Sequence, residues 1–359
     1  MVEFRLLKDD EFDQAVALAD QTFRDDENTS MGEAFPQVFS PALKQSYGAF
    51  INGKLISFIG LVPSVIHLGS AEIQAYSIGS VCTHPDHRKK GYASILLNIV
   101  FDHVKRANAA ILFISGSLPL YIKAGCLFYG KLNKYDIHKH DLQISEGYSV
   151  RELLPYDWFY LRKLIQARKV YCEQSIFEFA VLNQAKSYAS ILKMKHRILV
   201  AEAENEMKGF VVLGVSDSSA GESTSRVIEW GGDPQAIQAI LAESFQYGFS
   251  SIRMSIPTYE WELNRLLHSF EKTVATFPGT IKITNLDLFL EQLKPYLSGK
   301  IEIINVDEKH KKVLFNQKSM IVDNDAFERL ILSGDSNLDG CLNDIFPIPL
   351  PFPEGLNYV

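Results

Sequence analysis

The sequence predicts a mixed α/β (α+β) chain with two similar mixed-sheet units in tandem and a smaller α+β unit at the end. Three observations carry this. The 359 residues, 47 % of them apolar, exceed what one ordinary core holds. A plan of strand, helix, hairpin, strand, basic loop, helix and strand fills the first part of the chain and starts again near residue 149. After about residue 275 the pattern changes. The expected boundaries are 1–145, 146–275 and 276–359.

Taken in order, Glu3 to Leu7 reads as a short strand. From Asp10 the residues Phe12, Ala15, Ala17, Leu18 and Phe23 fall at roughly helical spacing. A polar loop, Arg24 to Gly32, follows. Two alternating runs, Tyr47 to Ile51 and Leu55 to Leu61, flank Asn52-Gly53, the dipeptide that supplies positive φ at both central positions of a tight hairpin. A β-rich run from Ile73 to Thr83 stops at His84-Pro85, where proline lacks a ladder donor. From Gly91 the spacing is helical, with Ile95, Leu96, Ile99, Val100 and Val104 expected on one apolar face. Ala110 to Ile114 reads as a buried strand.

The second round begins at Ser149-Val-Arg-Glu-Leu153 and continues through a helical stretch with Trp158, Leu161, Leu164 and Ile165. Ile198 to Ala203, Asn205-Glu206 and Gly209 to Gly214 mirror the first hairpin. Val227 to Trp230 leads through Gly231-Gly232-Asp233-Pro234 into a helix, where proline suits the first turn and Asp233 is expected to cap. The last part reads as a helix around Leu286 to Tyr296, then β-like runs at Ile301 to Val306 and Lys312 to Phe315. The tail from Phe346 to Glu354 alternates proline with apolar residues, so neither a helix nor a central strand is open to it.

Net charge is −7 and the pI is near 5.8, which argues against nucleic acid as the main partner because a phosphate backbone demands clustered positive charge. No stretch reads as a membrane span, and charges at the N-terminus interrupt any secretory signal. The four cysteines, Cys82, Cys126, Cys172 and Cys341, form no C-x-x-C pair, so neither a metal site nor a disulfide framework is indicated. A reducing cytoplasm fits this usage.

The informative stretch is Ser80-Val-Cys-Thr-His-Pro-Asp-His-Arg-Lys-Lys-Gly-Tyr-Ala-Ser94, a strand that ends in a basic loop opening into a helix. First-turn N–H groups have no internal partners and the helix dipole adds positive charge there, so the junction suits an anion. Arg88, Lys89 and Lys90 reinforce it. Gly91 lets a phosphate approach the backbone and Ala93 keeps the first turn uncluttered. A ligand carrying a diphosphate is predicted. Further on, Ser117-Leu-Pro-Leu-Tyr-Ile-Lys-Ala-Gly-Cys-Leu-Phe128 sets Tyr121 ahead of a glycine and a further run.

Together these segments resemble the GCN5-related N-acetyltransferase (GNAT) superfamily. The resemblance implies that Arg88, Lys89, Lys90, Gly91, Tyr92, Ala93 and Ser94 grip the pyrophosphate of acetyl-CoA and that Ser117 is a further cofactor-binding residue. It implies that the backbone of Val81, Cys82 and Thr83 pairs with the pantetheine arm. Tyr121 is then the general acid that protonates the departing thiolate. No motif identifies the base, and Glu27, Glu33, Glu72 and His84 are all near enough in sequence to be considered.

The domain order, with a last unit resembling a sterol carrier domain, is similar to the enhanced intracellular survival (Eis) family of tandem acetyltransferases. In that family the C-terminal carboxylate is implicated as base, which makes Val359 a further candidate. The second copy lacks the basic loop and carries Asp233 where a phosphate would sit, so it is expected to be degenerate. No lipid ligand is expected for the last unit. The resemblance implies an amine acceptor, a small cationic molecule or a lysine side chain, drawn by Asp25, Asp26, Glu27 and Glu33, and a homo-oligomer by analogy. A sensor that binds acyl-CoA without turnover is the rival reading.

Overall fold

The computed structural model describes residues 1–25, 29–142, 147–216, 224–334 and 342–359. Asp26, Glu27 and Cys341, named above, lie outside the described residues. Two compact units emerge: residues 1–130 with 277–351 and 359, and residues 131–276 with 352–358. Among the described residues, no helix is long and apolar enough to cross a membrane.

The sheet of the first unit follows β1 (Val2–Leu6), β2 (Tyr47–Ile51), β3 (Lys54–Leu68), β4 (Ala71–Thr83) and β5 (Ile111–Ile114). Neighbours are antiparallel except β4 and β5, which run parallel. The β2–β3 hairpin turns on Asn52 and Gly53, at φ 50° and 77°, as the dipeptide predicts. The helix Tyr92–Arg106 lays Leu96, Leu97, Val100 and Val104 on the sheet, in a cluster with Ile56, Ile59, Ile78 and Leu112. Ile95, expected inward, is exposed, and Leu97 takes its place. The buried stripe is centred between residues 96 and 100, and a single-residue shift of phase moves Ile95 past its rim.

Arg5 on β1 and Glu11 form a two-point ion pair, Nη1 to Oε2 and Nη2 to Oε1 both at 2.7 Å, while the Lys8 N–H donates to the same carboxylate at 2.8 Å. The Arg5 hydrogen bond, opposed by burial, holds the Glu11 carboxyl down at about 2. A depressed folded-state pKa gives stability that is complete above the ordinary carboxylate value and drains away as pH falls toward 2. Glu11→Gln is therefore expected to remove on the order of 2 kcal/mol from the unfolding free energy at pH 7 and to flatten its decline between pH 4.5 and 2. Urea titrations across that range measure both effects.

The second unit holds β6 (Lys131–His138), β7 (Ser149–Glu152), β8 (Val170–Cys172), β9 (Met194–Ala203), β10 (Glu206–Ser216), β11 (Thr224–Gly232), β12 (Ser251–Pro257) and β13 (Lys272–Thr276). Its main sheet runs β13-β6-β12-β11-β10-β9-β7. The helix Pro234–Ser244 covers one face and the helices Trp158–Gln166 and Ile176–Ala185 the other. The β9–β10 turn sits on Glu204 and Asn205, both at positive φ, one residue earlier than Asn205-Glu206 suggests. Asp233 makes no side-chain cap. The expected cap is thus corrected: the Asp233 carboxylate stays near Tyr148, whose phenol burial raises first and Asp233 raises further.

The expected boundaries also shift. β6 falls within 1–145 yet pairs with β12 and β13, burying Leu132, Tyr135 and Ile137. β14 (Thr280–Ile283) falls within 276–359 yet pairs antiparallel with β5 and completes the first sheet. Alternation shows that a segment is a strand but not which sheet receives it. The remaining sheet, β15 (Glu302–Asn305), β16 (His310–Phe315) and β17 (Lys318–Asp323), stands with the helices Leu286–Leu297 and Asn324–Ser333 in the first unit. The small unit is thus not separate from the first.

Candidate active site

The site is built where β4 parts from β5. These strands pair from Ala75 with Ile111 to Ile78 with Ile114 and no further, although β4 continues to Thr83. Just beyond the last pair β4 takes an extra residue against β3: Phe58 faces Cys82 and Gly60 faces Gly79, and Ser80 stands at φ +55°. A bulge adds local twist, which turns the end of β4 away from β5. The backbone of Val81 to Thr83 is left with its β5-side edge unladdered, as an extended ligand arm requires.

Ser57 on β3 steadies this end from behind. Its hydroxyl donates to the Cys82 carbonyl at 3.0 Å and lies 2.7 Å from Thr83 Oγ1. Cys82 itself is buried, and burial pushes its thiol up to about 12. It is therefore neutral at physiological pH, and its part in the site is that of its main chain.

Beyond Thr83 the chain makes a single 3₁₀ turn, Pro85–His87, and then the basic loop. Arg88 folds back so that its Nε donates to the Thr83 carbonyl at 3.1 Å, and Lys90 Nζ donates to the Asp86 carbonyl at 3.1 Å. Lys89 and Gly91 both have positive φ, +62° and +80°, a conformation that turns successive N–H groups to one side. Gly91 opens the helix with no side-chain cap. The first bond across it runs from Ile95 N–H to the Gly91 carbonyl, so the N–H groups of Tyr92, Ala93 and Ser94 have no intrahelical acceptor. A Cβ on Gly91 would meet nothing within 4 Å, so nothing crowds the chain at the head of this helix. Arg88, Lys89, Lys90 and Ser94 are exposed around it.

Tyr121 lies in the short helix Pro119–Lys123 that follows β5. It is 4 % exposed, with its ring edge 3.2 Å from where a Gly116 Cβ would stand. Its hydroxyl has no hydrogen-bond partner among the described residues. Burial first, and then Cys126, raise it to about 12. It is a phenol that keeps its proton. Ser117 is exposed in the turn ahead of this helix.

The candidate bases separate clearly. Glu72 sits at the far end of β4, eight positions before Ser80 and so roughly 25 Å away, facing His67 at 3.9 Å. Glu33 is exposed in the short helix Met31–Ala34. His84 uses Nδ1 to accept the Asp86 N–H at 3.4 Å. Val359, by contrast, is at the bulge: its carboxyl carbon lies 2.7 Å from where a Gly79 Cβ would be. Gly79 was invisible to motif reading, because only the close approach of Val359 and of Val38 explains the missing side chain. Ser57 was missed for the same reason, since its partners are distant in sequence.

Residues 3–128 match the model of the acetyltransferase (GNAT) domain family. Across the solved structures, the chain is similar to a probable N-acyltransferase from Enterococcus faecalis, at 18 % identity and TM-score 0.67 over 90 % of this chain and 85 % of that one. It is similar to a GCN5-related N-acetyltransferase from Anabaena variabilis, at 15 % identity and TM-score 0.66 over 90 % and 86 %. Eis1 from Mycobacterium abscessus shares 12 % identity and a TM-score of 0.62 over 96 % and 95 %. No curated protein matches in sequence. At these identities the structural likeness speaks for the fold.

Proposed function

We propose that the chain is an acyltransferase that moves an acetyl group from acetyl-CoA to a primary amine by direct attack, a reading supported by the match of residues 3–128 to the acetyltransferase (GNAT) domain family. The observation that carries this reading is the parting of β4 from β5 directly before a loop that opens a helix whose first-turn N–H groups have no intrahelical acceptor. The pantetheine arm would run along Val81 to Thr83. The pyrophosphate would lie on the N–H groups of Gly91 to Ser94, with Arg88, Lys89 and Lys90 around it. The carboxylates near Asp25 and Glu33 would favour a cationic acceptor.

In this reading the neutral amine attacks the thioester carbon, the carbon–sulfur bond breaks, and the thiolate takes the Tyr121 proton. The amine, which arrives as ammonium or carries an extra proton after attack, must lose one. We assign that proton to the Val359 carboxylate, on its placement over the β4 bulge.

The rival reading is a sensor that binds acyl-CoA without turnover. Thiol release from acetyl-CoA against polyamines, aminoglycosides and lysine peptides separates the two. Arg88→Ala is expected to raise the KM for acetyl-CoA about tenfold, corresponding to about 1.4 kcal/mol, and to weaken the dependence of KM on ionic strength. Tight CoA binding with no amine-dependent release would establish the sensor instead.

A further inference from the structure

Ser80 is a serine in a place that suits glycine. It stands at φ +55°, in the left-handed region that residues other than glycine, asparagine and aspartate seldom enter. Among the described residues, every other non-glycine residue at positive φ lies in a turn, a loop or at a helix end, and Ser80 alone lies inside a strand. The conformation serves the bulge that parts β4 from β5. Glycine would make the same bulge without a Cβ to strain it, so the Ser80 side chain has a use that outweighs the strain.

That use is not within the chain. Ser80 Oγ is shielded from solvent and has no hydrogen-bond partner, the one side-chain hydroxyl so placed among the described residues. Other buried hydroxyls of the first unit are satisfied: Ser57 donates to the Cys82 carbonyl at 3.0 Å and Ser46 to the Val38 carbonyl at 3.4 Å. A shielded hydroxyl left alone forfeits the bond it makes in water. With no acceptor in reach it also has no base to activate it as a nucleophile, so an acyl-serine intermediate is not open to it. What remains is an O–H that lacks an acceptor. Thr83 lies three residues on, roughly 10 Å along the strand, and the edge of Val81 to Thr83 that β5 leaves unpaired runs between Ser80 and the basic loop. An extended arm anchored at that loop and lying on that edge ends at Ser80.

We propose that Ser80 reads the acyl group: its hydroxyl donates to the thioester carbonyl oxygen, keeps its own proton, and stabilises the negative charge that gathers on that oxygen when the amine attacks. Ser80 is part-exposed as a residue, and in the bound state a turn about χ1 carries Oγ from its shielded position to the open edge. The assignment rests on the reading that acyl-CoA lies along Val81 to Thr83. It adds a specificity to that reading, because Ser80 favours a carbonyl next to the sulfur over a saturated carbon in the same place.

The test compares acetyl-CoA with S-ethyl-CoA, in which a methylene replaces the carbonyl, on the full chain and its Ser80→Ala and Ser80→Gly variants. Calorimetric titration without amine is expected to show the unaltered chain binding acetyl-CoA about fivefold more tightly than S-ethyl-CoA, and both variants binding the two alike. Amine-dependent thiol release is expected to lose about 10²-fold in kcat in both variants, with the KM for acetyl-CoA within about threefold. Alanine keeps the left-handed strain and glycine removes it, so urea unfolding is expected to find the glycine variant the more stable of the two. Equal functional losses at unequal stability assign the effect to the hydroxyl. A loss in the alanine variant alone makes Ser80 a matter of backbone and overturns the proposal, as does a preference for acetyl-CoA that survives in both variants. Lost preference with unchanged kcat overturns the part of Ser80 in the attack. If the unaltered chain prefers acetyl-CoA through Ser80 yet releases no thiol, the transfer reading falls and the reading of the acyl group stands. Binding of neither derivative removes the cofactor reading, and the proposal with it.

Discussion

Replacing Tyr121 by phenylalanine is expected, on the proposed reading, to lower kcat for amine-dependent thiol release by about 10²–10³-fold while leaving the KM for acetyl-CoA within about twofold. Phenylalanine fills the same buried space beside Gly116, and the lost hydroxyl has no partner among the described residues to leave stranded, so stability changes little. With Tyr121 as the proposed acid, the loss is expected on the step in which the thiolate departs. The sign of the pH dependence follows from burial, which raises the phenol to about 12. Tyr121 stays protonated throughout the working range, so its own titration puts no basic limb on the unaltered protein's profile below about pH 11. Raising the pH does not rescue the variant. An unchanged kcat would assign the proton to water and remove Tyr121 from the mechanism.

Gly279→Ala is expected to cost about 3–5 kcal/mol of stability. Gly279 has φ +94°, and a Cβ there would lie 2.3 Å from the carbonyl oxygen of Ile114, a backbone atom that cannot rotate aside. The strain of the dihedral alone is about 1–2 kcal/mol. Gly248 isolates that part, because it has φ +90° and a Cβ that would meet nothing within 4 Å. Gly248→Ala is expected to cost about 1 kcal/mol, and urea unfolding of the two variants side by side gives the overlap term as a difference. Equal losses would show that β14 shifts to make room. Such a shift would also disturb the Thr280 hydroxyl bond to the Gly116 carbonyl, at 3.0 Å, next to the Tyr121 ring.

The parts of the site that are contiguous in sequence were legible. The loop from Arg88 to Ser94 is readable because an anion site at a helix start is a local device, made of glycine, basic residues and free N–H groups. The Asn52-Gly53 hairpin is readable for the same reason. What failed was long-range. Nothing local distinguishes Gly79, whose missing side chain makes room for residue 359, or tells β6 and β14 which sheet to enter. Glu72 shows the limit: nearness in sequence put it in view as a base, but the pitch of a strand carries it far from the bulge. Asp233 had every local feature of a cap, yet its side chain accepts no hydrogen bond from the first turn.

The path of the chain through the two sheets bears on how the protein is made. The first unit is left at Gly130 and regained at Phe277, and only then does β14 close the β5 edge. During synthesis, β5 waits with an open row of backbone donors and acceptors while residues 131–276 emerge. An open strand edge invites pairing with other chains, and contacts this distant in sequence form slowly. The nascent first unit is thus most exposed to aggregation over that interval. A fragment ending at residue 130 would carry the same exposed edge permanently, so the first unit cannot simply be cut free at its apparent boundary.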